Sequence, residues 1–170
     1  MLKTFYPDNT CPSAYDIPYE ALYERGIRAL IFDIDNTLTE HGKPATKRTF
    51  DLMNRLKGIG FKICLLSNNK EERVKMFNEN INVDYIYKAG KPGRGGYERA
   101  MEKMGTDTSN TVFVGDQLFT DVWGAKRTGM ESWLVEPIDK QEEIQIVLKR
   151  YLEKPILFFY RREMQKNESK

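Results

Sequence analysis

A single histidine, His41, and two cysteines, Cys11 and Cys64, are the only residues among the 170 that supply the imidazole or thiolate ligands typical of zinc. The cysteines have no metal-ligand spacing, which argues against a zinc site, and both read as free thiols of a reducing cytoplasm. His41 stands in a polar loop and reads as solvated. No apolar run approaches the roughly eighteen residues that a membrane span needs. The opening stretch, MLKTFYPDNT, lacks the apolar core of a signal peptide. Repeats and low-complexity linkers are also missing. One domain is therefore expected over residues 1–170, its core at about 27–153 and its terminal extensions packed on or flanking that core.

What the chain does contain is ordinary in bulk and uneven in detail. Its 40% hydrophobic and 31% charged residues suit a globular protein with a real core. From Lys149 onward, however, seven Lys/Arg face three Asp/Glu, within a chain whose formal charge is +2. The most informative stretch is Ala29–Glu40, ALIFDIDNTLTE. Four apolar residues run straight into Asp33, and Asp35 follows two positions later. Such a run suits a strand buried on both faces of a parallel sheet, delivering its polar residues at its carboxyl end. Two carboxylates so close repel each other, and a cation or a shared proton relieves that repulsion.

Helical and strand patterns then alternate. A short helix is expected at Tyr19–Arg25 after an irregular start, and another at Ala45–Lys57, with Phe50, Met53 and Leu56 on one face and Gly58 as its stop. Strand Lys62–Leu66 ends in Ser67-Asn68-Asn69. A helix at about Lys70–Asn80 follows, with Asn69 as N-cap and Glu72 completing a capping box. A short strand at Tyr85–Tyr87 runs into Lys91-Pro92. The next helix carries Tyr97, Ala100, Met101 and Met104 on one face. Strand Thr111–Val114 leads to Gly115-Asp116, a short helix covers about Asp121–Arg127, and strand Ser132–Val135 comes last. A final amphipathic helix carries Ile144, Val147, Leu148, Tyr151 and Leu152 and ends near Glu153. The pattern predicts an α/β fold, helices on both faces of a central parallel sheet of about five strands. Trp123 and Trp133 read as core.

Asp33, Asp35, Ser67, Lys91 and Asp116 all follow strand ends, so they meet on one rim of the sheet. Three carboxylates, a hydroxyl and an ammonium are what phosphoryl transfer through an aspartyl intermediate requires. Oxygen ligands without histidine or cysteine favour Mg²⁺ over zinc.

These residues resemble the haloacid dehalogenase (HAD) superfamily of phosphatases, and within it the capless subclass III A, YqeG-type proteins, which are related to phosphatidylglycerophosphate phosphatases. The resemblance rests on Asp33-Ile34-Asp35-Asn36-Thr37, Ser67 after its strand, Lys91 before Pro92, and Gly115-Asp116 through Asp121, and it spans about residues 29–135. It implies a three-layer HAD-like (Rossmannoid) fold and a Mg²⁺-dependent phosphomonoester hydrolase. Asp33 would be the nucleophile, and Asp35 the general acid and then base, its backbone carbonyl on the metal. Asp33, Asp35 and Asp116 would hold Mg²⁺. Ser67 and the backbone amide of Asn68 would bind phosphate oxygens, and Lys91 would offset the charge of nucleophile and phosphate. Asp121 and Thr37 would support from behind. Lys88 competes with Lys91, which is favoured by its place before Pro92. The glycines at 90, 93, 95 and 96 read as a loop capping the next helix, and Arg94 within it is a candidate contact for a substrate anion.

Two other classes compete. A receiver domain also joins an acceptor Asp, a Ser/Thr and a Lys, but its acidic pair, not its acceptor, ends the first strand. A non-catalytic binding or assembly module would commonly lose the nucleophile or the metal carboxylate, and both are kept here. No connection is long enough for a cap, so an open site suits a phosphate on something large: a lipid head group, a phosphoprotein or a nucleic-acid end. The family leans toward phosphatidylglycerophosphate, and no nucleic-acid partner is otherwise expected. Residues 155–162, PILFFYRR, suit a peripheral patch at an anionic membrane. They also suit an edge strand packed beside the N-terminal segment, with the arginines solvated.

Overall fold

The computed structural model describes residues 2–139 and 144–168. The apolar run that dominates the sequence is buried at every position and becomes the central strand of a six-stranded parallel sheet. The strands are β1 (Asn9–Cys11), β2 (Ala29–Phe32), β3 (Lys62–Leu66), β4 (Asp84–Ile86), β5 (Thr111–Gly115) and β6 (Glu131–Val135), in the order β1-β6-β5-β2-β3-β4. The helices are α1 (Tyr19–Glu24), α2 (Lys47–Ile59), α3 (Glu71–Asn78), α4 (Arg94–Met104), α5 (Trp123–Thr128) and α6 (Ile144–Glu168).

Alternation along β2 divides the core into layers. Leu30 and Phe32 join Leu52, Met53 and Leu56 of α2 and Phe77 of α3 on one face. Ala29 and Ile31 join Tyr97, Ala100, Met101 and Met104 of α4 and Ala125 of α5 on the other. From β2 the chain winds outward through β3 and β4, then returns to β5 beside β2 and winds the opposite way. The strand order thus reverses between β2 and β5, the crevice where open α/β sheets bind ligands.

Several boundaries differ from the sequence reading. The sixth strand, β1, comes from the stretch expected to be irregular. Three residues, Asn-Thr-Cys, carry no period, and they are strand because β6 pairs with them in parallel register, Asn9 opposite Trp133. The core therefore reaches beyond residues 27–153. Helix α2 begins after Thr46, whose hydroxyl forms a capping box with Thr49, and it runs past Gly58. Its stop is Gly60, at φ 113°, a left-handed conformation that glycine adopts without strain. Helix α3 starts at Glu71 without a side-chain cap, because the Asn69 amide is engaged elsewhere. Trp123 and Trp133 are half-buried rather than core.

The largest difference lies at the C-terminus. Neither a helix end near Glu153 nor an edge strand at 156–160 forms. Helix α6 runs from Ile144 to Glu168 with Pro155 inside it. An interior proline removes a donor and costs roughly 3 kcal/mol. Here Pro155 is exposed, as is Tyr151 one turn back, so water can serve the freed carbonyl. Glu153, Ile156 and Tyr160, one helical face, are buried and hold the helix to the body. Ile156 packs with Leu118, Val122 and Leu134, and Tyr160 meets Tyr6 edge-on at 5.3 Å between ring centres. Residues 169–170 of the basic tail lie outside the described residues.

Candidate active site

The carboxyl ends of β2, β3 and β5 build the site. The ladder continues one residue past β2, where the Asp33 amide donates to the Val114 carbonyl at 2.9 Å, and this fixes where the Asp33 side chain leaves the sheet. Asn36 turns the chain in the left-handed region, φ 63°, and holds the segment after β6 by accepting from the amides of Ile138 and Asp139. Thr37 returns to the rim, its hydroxyl 3.1 Å from an Asp116 oxygen and 3.4 Å from one of Asp33.

Lys91 ties the centre together. Its buried ammonium donates to Asp33 at 2.6 Å and to Asp121 at 2.7 Å. The competing Lys88 is exposed. Lys91 is held from behind by Asn68, whose amide brackets the Lys91 backbone, donating to its carbonyl at 3.0 Å and accepting from its N–H at 2.8 Å. Asp121 sits in a π-helical turn, Leu118–Val122, before α5. One of its oxygens takes Lys91, while the other accepts from the backbone amides of Asp116 and Gln117, both at 3.1 Å. Gly115 makes this approach possible: a Cβ there would lie 2.6 Å from the Asp121 carboxyl carbon.

Oxygens of Asp33, Asp116 and Asp121 all lie within 4.8 Å of one another, and all three residues are buried. Burial, then the neighbouring Asp121 and Asp35, push the Asp33 carboxyl up to about 7 despite the opposing ammonium of Lys91. Burial, with Asp121 and Asp33, also lifts Asp116 well above the usual carboxylate range. Burial works against the charge on Lys91, but Asp121 and Asp33 outweigh it and hold the group above an ordinary lysine. The three buried carboxyls thus disfavour one another's charge. That donor set, hard oxygens without nitrogen or sulfur, fits a hard divalent cation.

Two predicted residues stand apart from this cluster. Ser67 is buried at the end of β3, next to β2, and its hydroxyl accepts from the Asn69 amide at 3.1 Å. The Asp35 carboxylate is turned onto α3, taken by Arg73 at 2.7 Å, Asn69 at 2.6 Å and the Gly42 amide at 2.8 Å. Arg94 pairs with Glu98 on the surface of α4 and His41 is exposed.

The comparisons with known proteins agree with this geometry. A family model for HAD-hydrolase-like proteins matches residues 88–143. Probable phosphatase YqeG of Bacillus subtilis (strain 168) is 38% identical over 165 residues, covering 96% of each chain. The chain belongs to the YqeG-type HAD phosphatases. A more distant relative, phosphatidylglycerophosphate phosphatase 1 of Arabidopsis thaliana (chloroplastic/mitochondrial), is 28% identical over 158 residues, 81% of this chain and 45% of that one. Among solved structures, an uncharacterized protein from Listeria monocytogenes serotype 4b overlays with a TM-score of 0.53 at 19% identity, covering 69% of this chain and 86% of that one. A hypothetical protein from Xanthomonas campestris gives 0.52 at 16%, covering 69% and 70%. At such identities these two speak for the fold alone.

In this YqeG-type site, four contributors are not evident from sequence. Arg150, on the inner face of α6, bonds both the carboxylate and the backbone carbonyl of Asp116. Glu153, one turn on, pairs with Arg150 and accepts from the Leu118 amide at 2.9 Å. No spacing links residue 150 to residue 116; only the packing of α6 does. Asn69 and Arg73, which hold Asp35, gave only a capping pattern and an unremarkable helix surface.

Proposed function

We propose that this HAD phosphatase hydrolyses phosphomonoesters in two steps through an aspartyl phosphate on Asp33, with Mg²⁺, and that its substrate is a phosphorylated lipid head group of the phosphatidylglycerophosphate type. The observation that carries the chemistry is Lys91, buried and shared between Asp33 and Asp121 beside Asp116. Asp33 Oδ attacks phosphorus while the ester oxygen leaves, and Lys91 offsets the charge gathered on carboxylate and phosphate. Asp35 gives the leaving oxygen its proton and then takes one from the water that cleaves the acyl phosphate. Ser67 and the backbone amide of Asn68 hold phosphate oxygens. The Asp33 and Asp116 carboxylates and the Asp35 backbone carbonyl would hold Mg²⁺, which supplies charge neutralisation when bound. Asp121, with both oxygens engaged, positions Lys91 and the 116–117 turn, and Thr37 spaces Asp33 from Asp116.

A metal-binding test follows from the raised carboxyls. Asp33 holds a proton below about pH 7, so Mg²⁺ must displace it. Calorimetry should show proton release on binding, with affinity falling about tenfold per pH unit per displaced proton below that value. Between the ordinary 3.8 and about 7, folded Asp33 keeps a proton that the unfolded chain has lost. Metal-free stability therefore falls as pH rises through that window, and the melting temperature should gain more from Mg²⁺ at pH 8 than at pH 5. EDTA should abolish activity and Mg²⁺ restore it, while Asp116→Ala should raise the Mg²⁺ requirement or remove activity. Full activity without metal would refute this assignment.

The lipid reading draws on the Arabidopsis relative, which is named for a substrate of this kind, and on an open rim without an inserted cap among the described residues. The protein would work in the cytoplasm, peripheral to the membrane. No described helix is long and apolar enough to cross one. The outer face of α6 does expose Leu148, Tyr151, Leu152, Phe158 and Phe159, with Arg162 and Lys166 at the far end of the same stripe. Apolar rings beside basic side chains suit the surface of an anionic bilayer. Co-sedimentation with anionic vesicles should weaken with salt and fall at least about tenfold on replacing Phe158 and Phe159 together by Ser. Undiminished binding by that variant would remove α6 from the membrane contact.

A further inference from the structure

Tyr97 shares one face of α4 with Ala100, Met101 and Met104, and its ring is wholly buried there. The ring packs on Phe113 of β5, 5.1 Å between ring centres, and the centre of Phe113 in turn lies 5.5 Å from the Lys91 ammonium. A buried phenol also needs a partner for its hydroxyl. That partner is the π-helical turn, Leu118–Val122, which bears Asp121. The hydroxyl lies 3.0 Å from the Thr120 carbonyl and 3.1 Å from the Asp121 carbonyl, so its one proton serves two backbone acceptors. Gly124 of α5 makes room for this approach, since a Cβ there would lie 2.7 Å from the ring.

We infer that Tyr97 is a positioning residue for phosphoryl transfer, its hydroxyl holding the π-helical turn in the register that aims Asp121 at Lys91. The inference rests on the phosphatase reading above and deepens it. The backbone of the turn does not settle its own register. The Gln117 carbonyl accepts from the amides of both Asp121, at 2.9 Å, and Val122, at 3.2 Å, an α-type and a π-type bond on one acceptor. The two registers differ by one residue, about 100° around the helix axis. Turns of the π kind are rare and gather at functional sites. Tyr97 grips this one where the registers part, at Asp121 itself and at the residue before it. A turn relaxed to the α register would swing the Asp121 carboxylate off Lys91 and off the amides of Asp116 and Gln117, the three donors it now meets. Lys91 would lose the contact that steadies its ammonium beside Asp33. The ring alone accounts for filling the core, and the hydroxyl is what reaches the turn.

The experiment removes the hydroxyl and nothing else. Tyr97→Phe keeps the ring on Phe113 and deletes the donor. A buried hydrogen bond is worth about tenfold in an equilibrium between two registers. With full-length protein, Mg²⁺ and p-nitrophenyl phosphate, kcat should therefore fall about tenfold. KM should stay within about twofold, because Ser67 and the backbone amide of Asn68, which hold the phosphate, are untouched. A double-mutant cycle then assigns the path. Asp121→Ala should cost more than Tyr97→Phe, and adding Tyr97→Phe to it should change kcat by less than about twofold, since no carboxylate is left to aim. Asp121→Asn takes its place in the cycle if the alanine variant fails to fold by circular dichroism. An unaltered kcat in Tyr97→Phe would overturn the inference. So would the same loss in both backgrounds, which is what a tyrosine that only stabilises the fold would give. Turnover by the unaltered protein separates the two levels. If it hydrolyses the ester and either contrary result appears, the positioning role alone is wrong, whereas no turnover overturns the phosphatase reading and the positioning role with it.

Discussion

Asp33→Asn should lower turnover by about 10⁴-fold or more, because an amide oxygen cannot attack phosphorus and nothing else on the rim replaces it. Lys91 is a cation, Asp121 is bound through both oxygens, and Asp116 is held by Arg150 on the far side of Thr37. The folded state gives a control for the chemistry. Burial and its acidic neighbours push Asp33 up to about 7, so its ionised form is disfavoured in the metal-free protein. The neutral amide removes that penalty, and at pH 8 the metal-free variant should melt no lower than the unaltered protein. Steady-state assays with contaminating phosphatase excluded, set beside thermal melts, read both effects. Near-normal Mg²⁺-dependent activity in this variant would end the account of Asp33 as nucleophile.

Asp35→Asn comes next, with an expected loss of about 10²–10⁴-fold, the range for a positioned general acid and base. Three donors, from Arg73, Asn69 and Gly42, now hold the Asp35 carboxylate against α3. An amide keeps the shape but loses one acceptor oxygen and the ion pair, so part of the loss reflects looser placement of the 33–37 turn. The two steps can be told apart by leaving group. p-Nitrophenolate leaves with little help from an acid, so phosphorylation of Asp33 should suffer less with that ester than with an alkyl phosphate. Hydrolysis of the acyl phosphate needs the base in either case. The variant should therefore show a burst of p-nitrophenol followed by slow turnover. Equal losses for both esters, with no burst, would place Asp35 outside proton transfer.

Much of this site was legible because its signals are local. The apolar run before Asp33 announced a central strand, and polar residues after such strands meet at one rim through the topology of a parallel sheet. The place before Pro92 favours Lys91 over Lys88, and the structure buries the first and exposes the second. What stayed hidden depends on contacts remote in sequence. Three residues with no period become β1 only against β6. The helix passes Pro155 only because Glu153, Ile156 and Tyr160 are packed against the body. Arg150 reaches Asp116 as a consequence of that packing. Asn68 and Asn69 illustrate a subtler limit. Their side chains were legible as turn or cap residues, yet one brackets the backbone of Lys91 and the other holds Asp35. Local preference allowed both uses, and tertiary contacts chose between them.

The most direct test of the central claim is to trap the phosphorylated protein. Full-length enzyme with Mg²⁺ and a radiolabelled phosphomonoester is quenched in acid within the first turnover, reduced with borohydride, and sequenced by mass spectrometry. An aspartyl phosphate is converted to homoserine by this treatment. The account predicts label on the protein that hydroxylamine releases, homoserine at position 33, a larger labelled fraction in Asp35→Asn, and none in Asp33→Asn. Turnover that proceeds without labelled protein, or label on any other residue, would contradict it.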